Sequence, residues 1–312
     1  MTYAPTRRRI LAISAAACAL AIAGRPAAAI ETRWRGRALG AAASLRIAGL
    51  APEAAAPVLT AVTRELARLE RIFSLYRPDS ALSRLNAAGS LEAPPAELVE
   101  LLGLCDRLHR ATGGAFDPTV QPLFALHARH AERGERPGPA EIARARSAVG
   151  WTAVRFDSAA IRLDRPGAAL TLNGIAQGFI TDRVAGLLRQ AGLSDILVEA
   201  GEVAAFGRRP DGAPWSTGIA APDGRLLRRL TLRDRALATS APGGTVLDAA
   251  GRIGHIFDPG TGGEASAASV VAVSAPRAAL ADGLSTALCV LPAADRAAII
   301  AAFPDTRIEI AI

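Results

Sequence analysis

The chain has 312 residues, half of them hydrophobic and 4% aromatic, with a formal net charge of +7. That length holds one large domain or two small ones, with ample material for a buried core. All 36 basic residues are arginine, which excludes Schiff-base, pyridoxal-phosphate and Walker-type P-loop chemistry, because each needs a lysine ammonium. Three cysteines and four histidines likewise exclude a zinc-ribbon framework and a disulfide-stapled miniprotein.

Residues 1–29 carry Arg7, Arg8, Arg9 and Arg25 and no acid, so without them the net charge falls by four, from +7 to +3. The remaining balance calls for no nucleic-acid partner. Thr6-Arg7-Arg8-Arg9 precedes a short apolar run and Ala27-Ala28-Ala29, the layout of a secretory signal. Paired arginines at its start point to the twin-arginine route. The apolar run is short for a span of about 30 Å of hydrocarbon. Cleavage after Ala29 leaves 283 of the 312 residues, residues 30–312, as one periplasmic domain. Of the cysteines in that part, Cys105 and Cys289 each sit in an apolar helical pattern. They read as small buried hydrophobes, with a disulfide between them as the other option in an oxidising compartment.

In chain order, Leu45–Leu50 reads as an opening strand. Val58, Leu59, Val62, Leu66, Leu69 and Phe73 fall at helical spacing and predict a helix over Pro57–Ser74. Leu98–His109 repeats that pattern and stops at Thr112-Gly113-Gly114. Residues 129–146 are rich in Arg, Glu, Gly and Pro and read as a solvated loop leading into a short helix. His127 and His130 stand just before and within it, on what reads as a solvated helix. From Trp151 the period changes to two, predicting short strands at Val154–Phe156, Ile161–Leu163 and Ala169–Leu172. A helix over Ile175–Gln190 follows. Strands are expected at Ile196–Val198, Val203–Phe206, Trp215–Ile219, Leu226–Leu232 and Val270–Val273. The last helices run from Ala278 through Cys289 and over Asp295–Phe303. Without a regular βαβ rhythm, the fold class is α+β.

Four short constellations carry candidate chemistry. Phe73-Ser74-Leu75-Tyr76 ends the first helix with a tyrosine. Thr112-Gly113-Gly114-Ala115-Phe116-Asp117-Pro118 is a glycine turn bearing a carboxylate, which on its own is a helix stop followed by an Asp-Pro turn. Asn173-Gly174-Ile175-Ala176-Gln177-Gly178 opens a helix, where exposed amides favour a phosphate. Asp282 and Thr286 are four residues apart, so a carboxylate and a hydroxyl share one helix face. Hard oxygens so placed suit Mg²⁺, while an acid early in a helix also favours the helix dipole. His255-Ile256-Phe257-Asp258-Pro259 adds a turn with a histidine and a second carboxylate.

Taken in order, these blocks, with Ala238-Thr239-Ser240, resemble the ApbE-type FAD:protein FMN transferases from about Leu39 to Leu291. The resemblance implies an α+β fold, Mg²⁺, FAD as donor and export to the periplasm. By the same resemblance Leu39, Tyr76, Ala115, Phe116, Asp117, Thr171, Gln177 and Ile256 fall where the family holds FAD. The Gly174 carbonyl, Asp282 and Thr286 fall where it holds Mg²⁺. Three positions depart from the family pattern: Thr171 replaces a common Asp, Gln177 a frequent Lys, and Gly201-Glu202 a Gly-Gly-Asp. The implied reaction joins FMN to a Thr or Ser hydroxyl of an acceptor flavoprotein and releases AMP. The implied acceptor belongs to a respiratory membrane complex or to nitrous-oxide reductase maturation. His255 is the candidate proton acceptor, and a turn-stabilising role fits its position equally well. Hydrolysis of FAD to FMN and AMP, or flavin binding without catalysis, are the other readings open to the same residues.

Overall fold

A computed structural model describes residues 30–248, 251 and 253–312. Residues 1–29, which the sequence reading takes as an export signal, lie outside the described residues. The chain opens with the hairpin β1 (Glu31–Ala38) and β2 (Ala41–Ala48), then α1 (Pro52–Phe73), α2 (Ala81–Ala88), β3 (Ser90–Glu92) and α3 (Ala96–Ala111). Next come α4 (Gln121–Ala131), α5 (Pro139–Arg146), β4 (Val154–Phe156), β5 (Ala160–Leu163) and α6 (Ala176–Gln190). Strands β6 (Ile196–Glu199), β7 (Val203–Phe206), β8 (Trp215–Ala220), β9 (Leu226–Leu232) and β10 (Arg235–Ser240) follow. The chain closes with β11 (Val271–Ala275), α7 (Ala278–Val290), α8 (Ala293–Ala301) and β12 (Arg307–Ala311).

Seven strands form one sheet in the order β1-β2-β6-β7-β10-β11-β12, and every neighbouring pair is antiparallel. With helices gathered on one face, this is the expected α+β class. Side-chain alternation separates the two faces. Ile196, Val198, Ala236, Ala238, Val271 and Val273 point into the main core, together with α1, α3, α6 and α7. Leu197, Val203, Ala205, Leu237 and Ala272 point the other way, under the β8–β9 hairpin and its buried Trp215. Trp215 Nε1 donates to the Phe206 carbonyl at 2.8 Å, so the indole is buried with its one donor satisfied.

Several sequence expectations shift here. Strands β1, β3, β10 and β12 and helix α2 add to the predicted set. The Ala169–Leu172 stretch is buried at Leu170 and Leu172 yet joins no sheet. Asn86 occupies its backbone instead: Leu170 N–H donates to Asn86 Oδ1 at 2.7 Å, and Asn86 Nδ2 donates to the Leu170 carbonyl at 2.8 Å. A two-point amide pairing of this kind is worth about 1–3 kcal/mol net, and it fixes the approach to Asn173 and Gly174. Nor are His127 and His130 on a solvated helix. They are 4% and 9% exposed: the His127 ring lies 4.5 Å from that of Phe257, and His130 Nε2 lies 3.2 Å from Glu141 of α5. Arg129 between them faces outward, and with the charged stretch that follows it hides this from a composition reading. Cys105 and Cys289 are both buried and unbonded. Burial pushes the Cys289 thiol up to about 12 and raises that of Cys105 as well.

Candidate active site

The crossing of α6 and α7 builds the centre of the site. The two helices approach so closely that a side chain on Gly178 would collide with the Ala278 carbonyl. Asp182 of α6 accepts the Ala278 and Ala279 amides at 2.7 and 3.1 Å, and so supplies the acidic partner for the N-terminus of α7. Asp282 is therefore not a dipole-balancing acid. It lies beyond the first turn of α7, is 4% exposed, and accepts the Gly178 amide at 3.0 Å through Oδ2.

One turn further along, Thr286 Oγ1 lies 3.4 Å from the Gly174 carbonyl. That approach needs a glycine, since a Cβ at position 174 would stand 2.8 Å from Thr286 Oγ1. Thr286 of α7 thus meets Gly174 of the turn before α6, and Asp282, one turn back on α7, lines the same cleft. The phosphate reading of the Gly174–Gly178 turn is narrowed. The Ile175 and Ala176 amides already reach the Leu172 carbonyl at 3.0 and 2.8 Å, and the Gly178 amide is held by Asp282.

These groups open onto a cleft lined by several loops, helices and strand ends. The Ala115–Pro118 turn and Thr171 form one wall. Gly174 comes from the turn before α6 and Gln177 from its first turn, Glu199 and Glu202 from the β6–β7 corner, Thr217 and Gly218 from β8, and Thr239 and Ser240 from the end of β10. His255, Ile256 and Phe257 close it with Asp282 and Thr286. Ala115, Phe116, Asp117, Thr171, Gln177 and Ile256 all line this cleft. Leu39 and Tyr76 do not: Leu39 packs on the main core from the β1–β2 turn, and Tyr76 is 68% exposed on the α1–α2 connection. A knot of hydroxyls displays Tyr76 there. Ser80 and Ser83 both donate to the Ser74 carbonyl, and Ser74 Oγ accepts the Tyr76 amide at 3.1 Å.

The electrostatics of the cleft are one-sided. Asp117, Glu199, Glu202 and Asp282 line it, and among the described residues of its wall there is no arginine. Burial, and then the Asp182 carboxylate, push Asp282 up to about 7 against its single Gly178 hydrogen bond. Glu202, reached by the Thr239 amide at 3.3 Å, is raised well above the usual carboxylate range by burial and by Asp282. Asp117 is better satisfied. Its Oδ1 accepts the Thr119 amide at 2.8 Å and the Thr119 hydroxyl at 2.5 Å, capping the short helical turn after it.

His255 is held from one side only. Its Nδ1 faces the Pro242 and Thr245 carbonyls at 3.2 and 3.1 Å, so Nδ1 carries the proton and donates. Nε2 is left as an acceptor on a ring that lines the cleft. Burial pushes the imidazole pKa below its ordinary value. The turn around it is built by Asp258, whose Oδ1 accepts the Gly260 amide and Oδ2 the Thr261 hydroxyl, each at 2.8 Å. Glu202 and Ser240 are the site residues to which the sequence assigned no role. Each stands inside a quoted block, but only the folded chain brings it against α7.

An α+β enzyme fold with an acidic cleft at a helix crossing is the class these features define. The chain belongs to the ApbE family, whose sequence model matches residues 39–310. A FAD:protein FMN transferase of Salmonella typhimurium is 29% identical over 270 residues, covering 82% of this chain and 77% of that protein. The Haemophilus influenzae FAD:protein FMN transferase is 32% identical over 235 residues, covering 70% and 68%. Among solved structures, the flavin transferase ApbE from Vibrio cholerae matches with a TM-score of 0.79 at 28% identity, covering 91% of this chain and 97% of that one. The Pseudomonas stutzeri flavinyl transferase ApbE in its apo form matches at 0.74 and 30%, covering 87% and 88%.

Proposed function

We propose that this chain transfers FMN from FAD to a Thr or Ser hydroxyl of an acceptor flavoprotein. The hydroxyl oxygen bonds to the FMN-side phosphorus, the bridging P–O bond breaks, AMP leaves, and a phosphoester remains. The observation that carries the reading is the meeting of Asp282, Thr286 and the Gly174 carbonyl in one cleft with His255.

The donor set fits Mg²⁺ on its own chemistry. One buried carboxylate, one hydroxyl and one carbonyl are hard oxygens, few enough to leave positions for water and substrate oxygens. The wall needs such a charge, because a diphosphate entering it meets four carboxylates and no described arginine. Mg²⁺ held by Asp282, Thr286 and Gly174 supplies Lewis-acid polarisation of the diphosphate and a template for it. The remaining work belongs to side chains. Nε2 of His255 accepts the proton of the attacking hydroxyl, while its Nδ1 bonds keep the ring from turning. Ile256, Phe116 and Ala115 give the cleft an apolar wall for a flavin-sized ring. Thr171 and Gln177 contact substrate by hydrogen bonding without charge.

The test is to incubate the purified chain with FAD, Mg²⁺ and a candidate acceptor, then look for covalent flavin fluorescence on a denaturing gel. Fluorescent acceptor with matching AMP supports transfer. FMN and AMP in equal amounts with an unlabelled acceptor identify a FAD pyrophosphatase. Unchanged FAD leaves a flavin-binding protein. The Thr6-Arg7-Arg8-Arg9 start and Ala27-Ala28-Ala29 end of the first 29 residues further support export to the periplasm by the twin-arginine route. Changing Arg7 and Arg8 together to lysine is expected to stop export, and undiminished periplasmic protein from that variant would rule the route out.

A further inference from the structure

We propose that Ser240 is a positioning residue for the cation site. Its hydroxyl takes the proton of Thr286 and so turns a Thr286 lone pair toward the cation. The inference rests on the reading of Asp282, Thr286 and Gly174 as that site.

The argument is a count of protons. Ser240 Oγ lies 2.8 Å from Ser285 Oγ and 3.2 Å from Thr286 Oγ1. Ser285 is fully buried, and its hydroxyl donates to the Asp282 carbonyl at 3.0 Å, one turn back along α7. Each hydroxyl has a single proton and two lone pairs. The Ser285 proton has two acceptors in reach, Ser240 and the Asp282 carbonyl, and when it lies on Asp282 the 2.8 Å contact is a hydrogen bond that Ser240 donates to Ser285. Ser240 then offers Thr286 a lone pair and no proton. Thr286 can place its own proton on Ser240 or, at 3.4 Å, on the Gly174 carbonyl. A cation between Thr286 and Gly174 repels a proton lying there, so the bound state selects Ser240. The chain Thr286 to Ser240 to Ser285 to the Asp282 carbonyl runs in one direction, and every member is satisfied. It also ends on the peptide of the residue that supplies the carboxylate ligand, which ties both ligands of α7 to the end of β10.

A packing role for Ser240 predicts something else: lower stability with unchanged cation affinity. The experiment titrates the purified chain with Mg²⁺ alone by calorimetry and with Mn²⁺ alone by electron paramagnetic resonance, without FAD or acceptor. Variants are Ser240→Ala, Ser240→Thr, Ser285→Ala and Asp282→Asn. Ser240→Ala is expected to weaken both cations by about 10- to 100-fold, the usual scale for groups that orient a ligand. Ser240→Thr restores the hydroxyl and the affinity. Ser285→Ala also weakens binding, because the Ser240 proton loses its acceptor and turns on Thr286. Wild-type affinity in Ser240→Ala, with binding lost in Asp282→Asn, overturns the proposal and leaves the site standing. Wild-type affinity in Asp282→Asn overturns the site itself. Should Ser240→Ala not fold, Ser285→Ala decides alone, and unchanged affinity there sinks the relay.

Discussion

Asp282→Asn is expected to lower flavin transfer by roughly 10²- to 10³-fold or more, the scale set by loss of one preorganised electrostatic contact to reacting charge. It should do so without unfolding the chain. Asn keeps an oxygen for the Gly178 amide, which Asp282 now accepts at 3.0 Å, and α7 keeps its N-terminal partner, Asp182. The same substitution has a second signature. Burial holds the Asp282 carboxyl near 7, far above an unfolded aspartate. Between about pH 4 and pH 7 the folded chain therefore keeps a proton that the unfolded chain has lost. The stability of the cation-free protein falls as pH rises through that window and levels off above it. On the proposed reading Mg²⁺ binds the ionised carboxylate, so its stabilising effect should grow with pH across the same range. In Asp282→Asn the fall with pH should shrink, its remainder belonging to the raised Glu202 and Asp182, and the Mg²⁺ effect should vanish. Thr286→Val should act in the same direction and less strongly, losing a neutral ligand at nearly constant volume. Thermal melts from pH 4 to 8, with and without Mg²⁺, beside transfer rates, make the comparison. Full activity in Asp282→Asn, or an undiminished Mg²⁺ shift, would remove the metal assignment.

The parts of the fold legible in the sequence were those where one side of an element faces a core. Val62, Leu66 and Leu69 announce α1, the short apolar run Val203-Ala204-Ala205-Phe206 announces β7, and Leu230-Thr231-Leu232 announces the end of β9. The elements that escaped have mixed signals. β1 alternates Arg33, Arg35 and Arg37 with Trp34 and Gly36 at the edge of the sheet, where arginine blunts unpaired backbone. β12 is at the other edge and only half-buried. Leu170 and Leu172 imitate a strand because they are buried, while their backbone is claimed by a side chain 84 residues away. The site divides in the same manner. Asp282 and Thr286 share a helix face, which four-residue spacing reveals. The Gly174 carbonyl joins them across 112 residues, and no local pattern records that approach. Glu202 stood out only as a departure from the family, and its burial against Asp282 is a tertiary fact. The proton of His255 belongs there too, since only the folded loop shows two carbonyls on Nδ1.

His255→Asn provides the sharpest separation of base from turn. A turn-stabilising histidine needs only its Nδ1–H, which reaches the Pro242 and Thr245 carbonyls. The Asn amide can present an N–H near that place, and it has nothing where Nε2 stands. If His255 accepts the hydroxyl proton, His255→Asn keeps the melting temperature and FAD affinity and lowers the transfer rate about 10²- to 10⁴-fold, the range for a lost general base. His255→Ala should lose the rate and some stability together. The wild-type rate adds a third reading. Burial lowers the imidazole pKa, so at saturating Mg²⁺ the rate should rise with pH through a value below that of an ordinary histidine and be flat near neutrality. The linked stability runs opposite to that of Asp282. A folded-state pKa below the unfolded one means the unfolded chain binds the extra proton, so this group adds stability as pH rises toward about 6.5 and withdraws it on acidification. In His255→Asn the acid limb of the rate profile should disappear along with most of the rate. A variant that folds, binds FAD and transfers at the wild-type rate would leave His255 as a turn residue, and the attacking hydroxyl would then need another acceptor on the cleft wall.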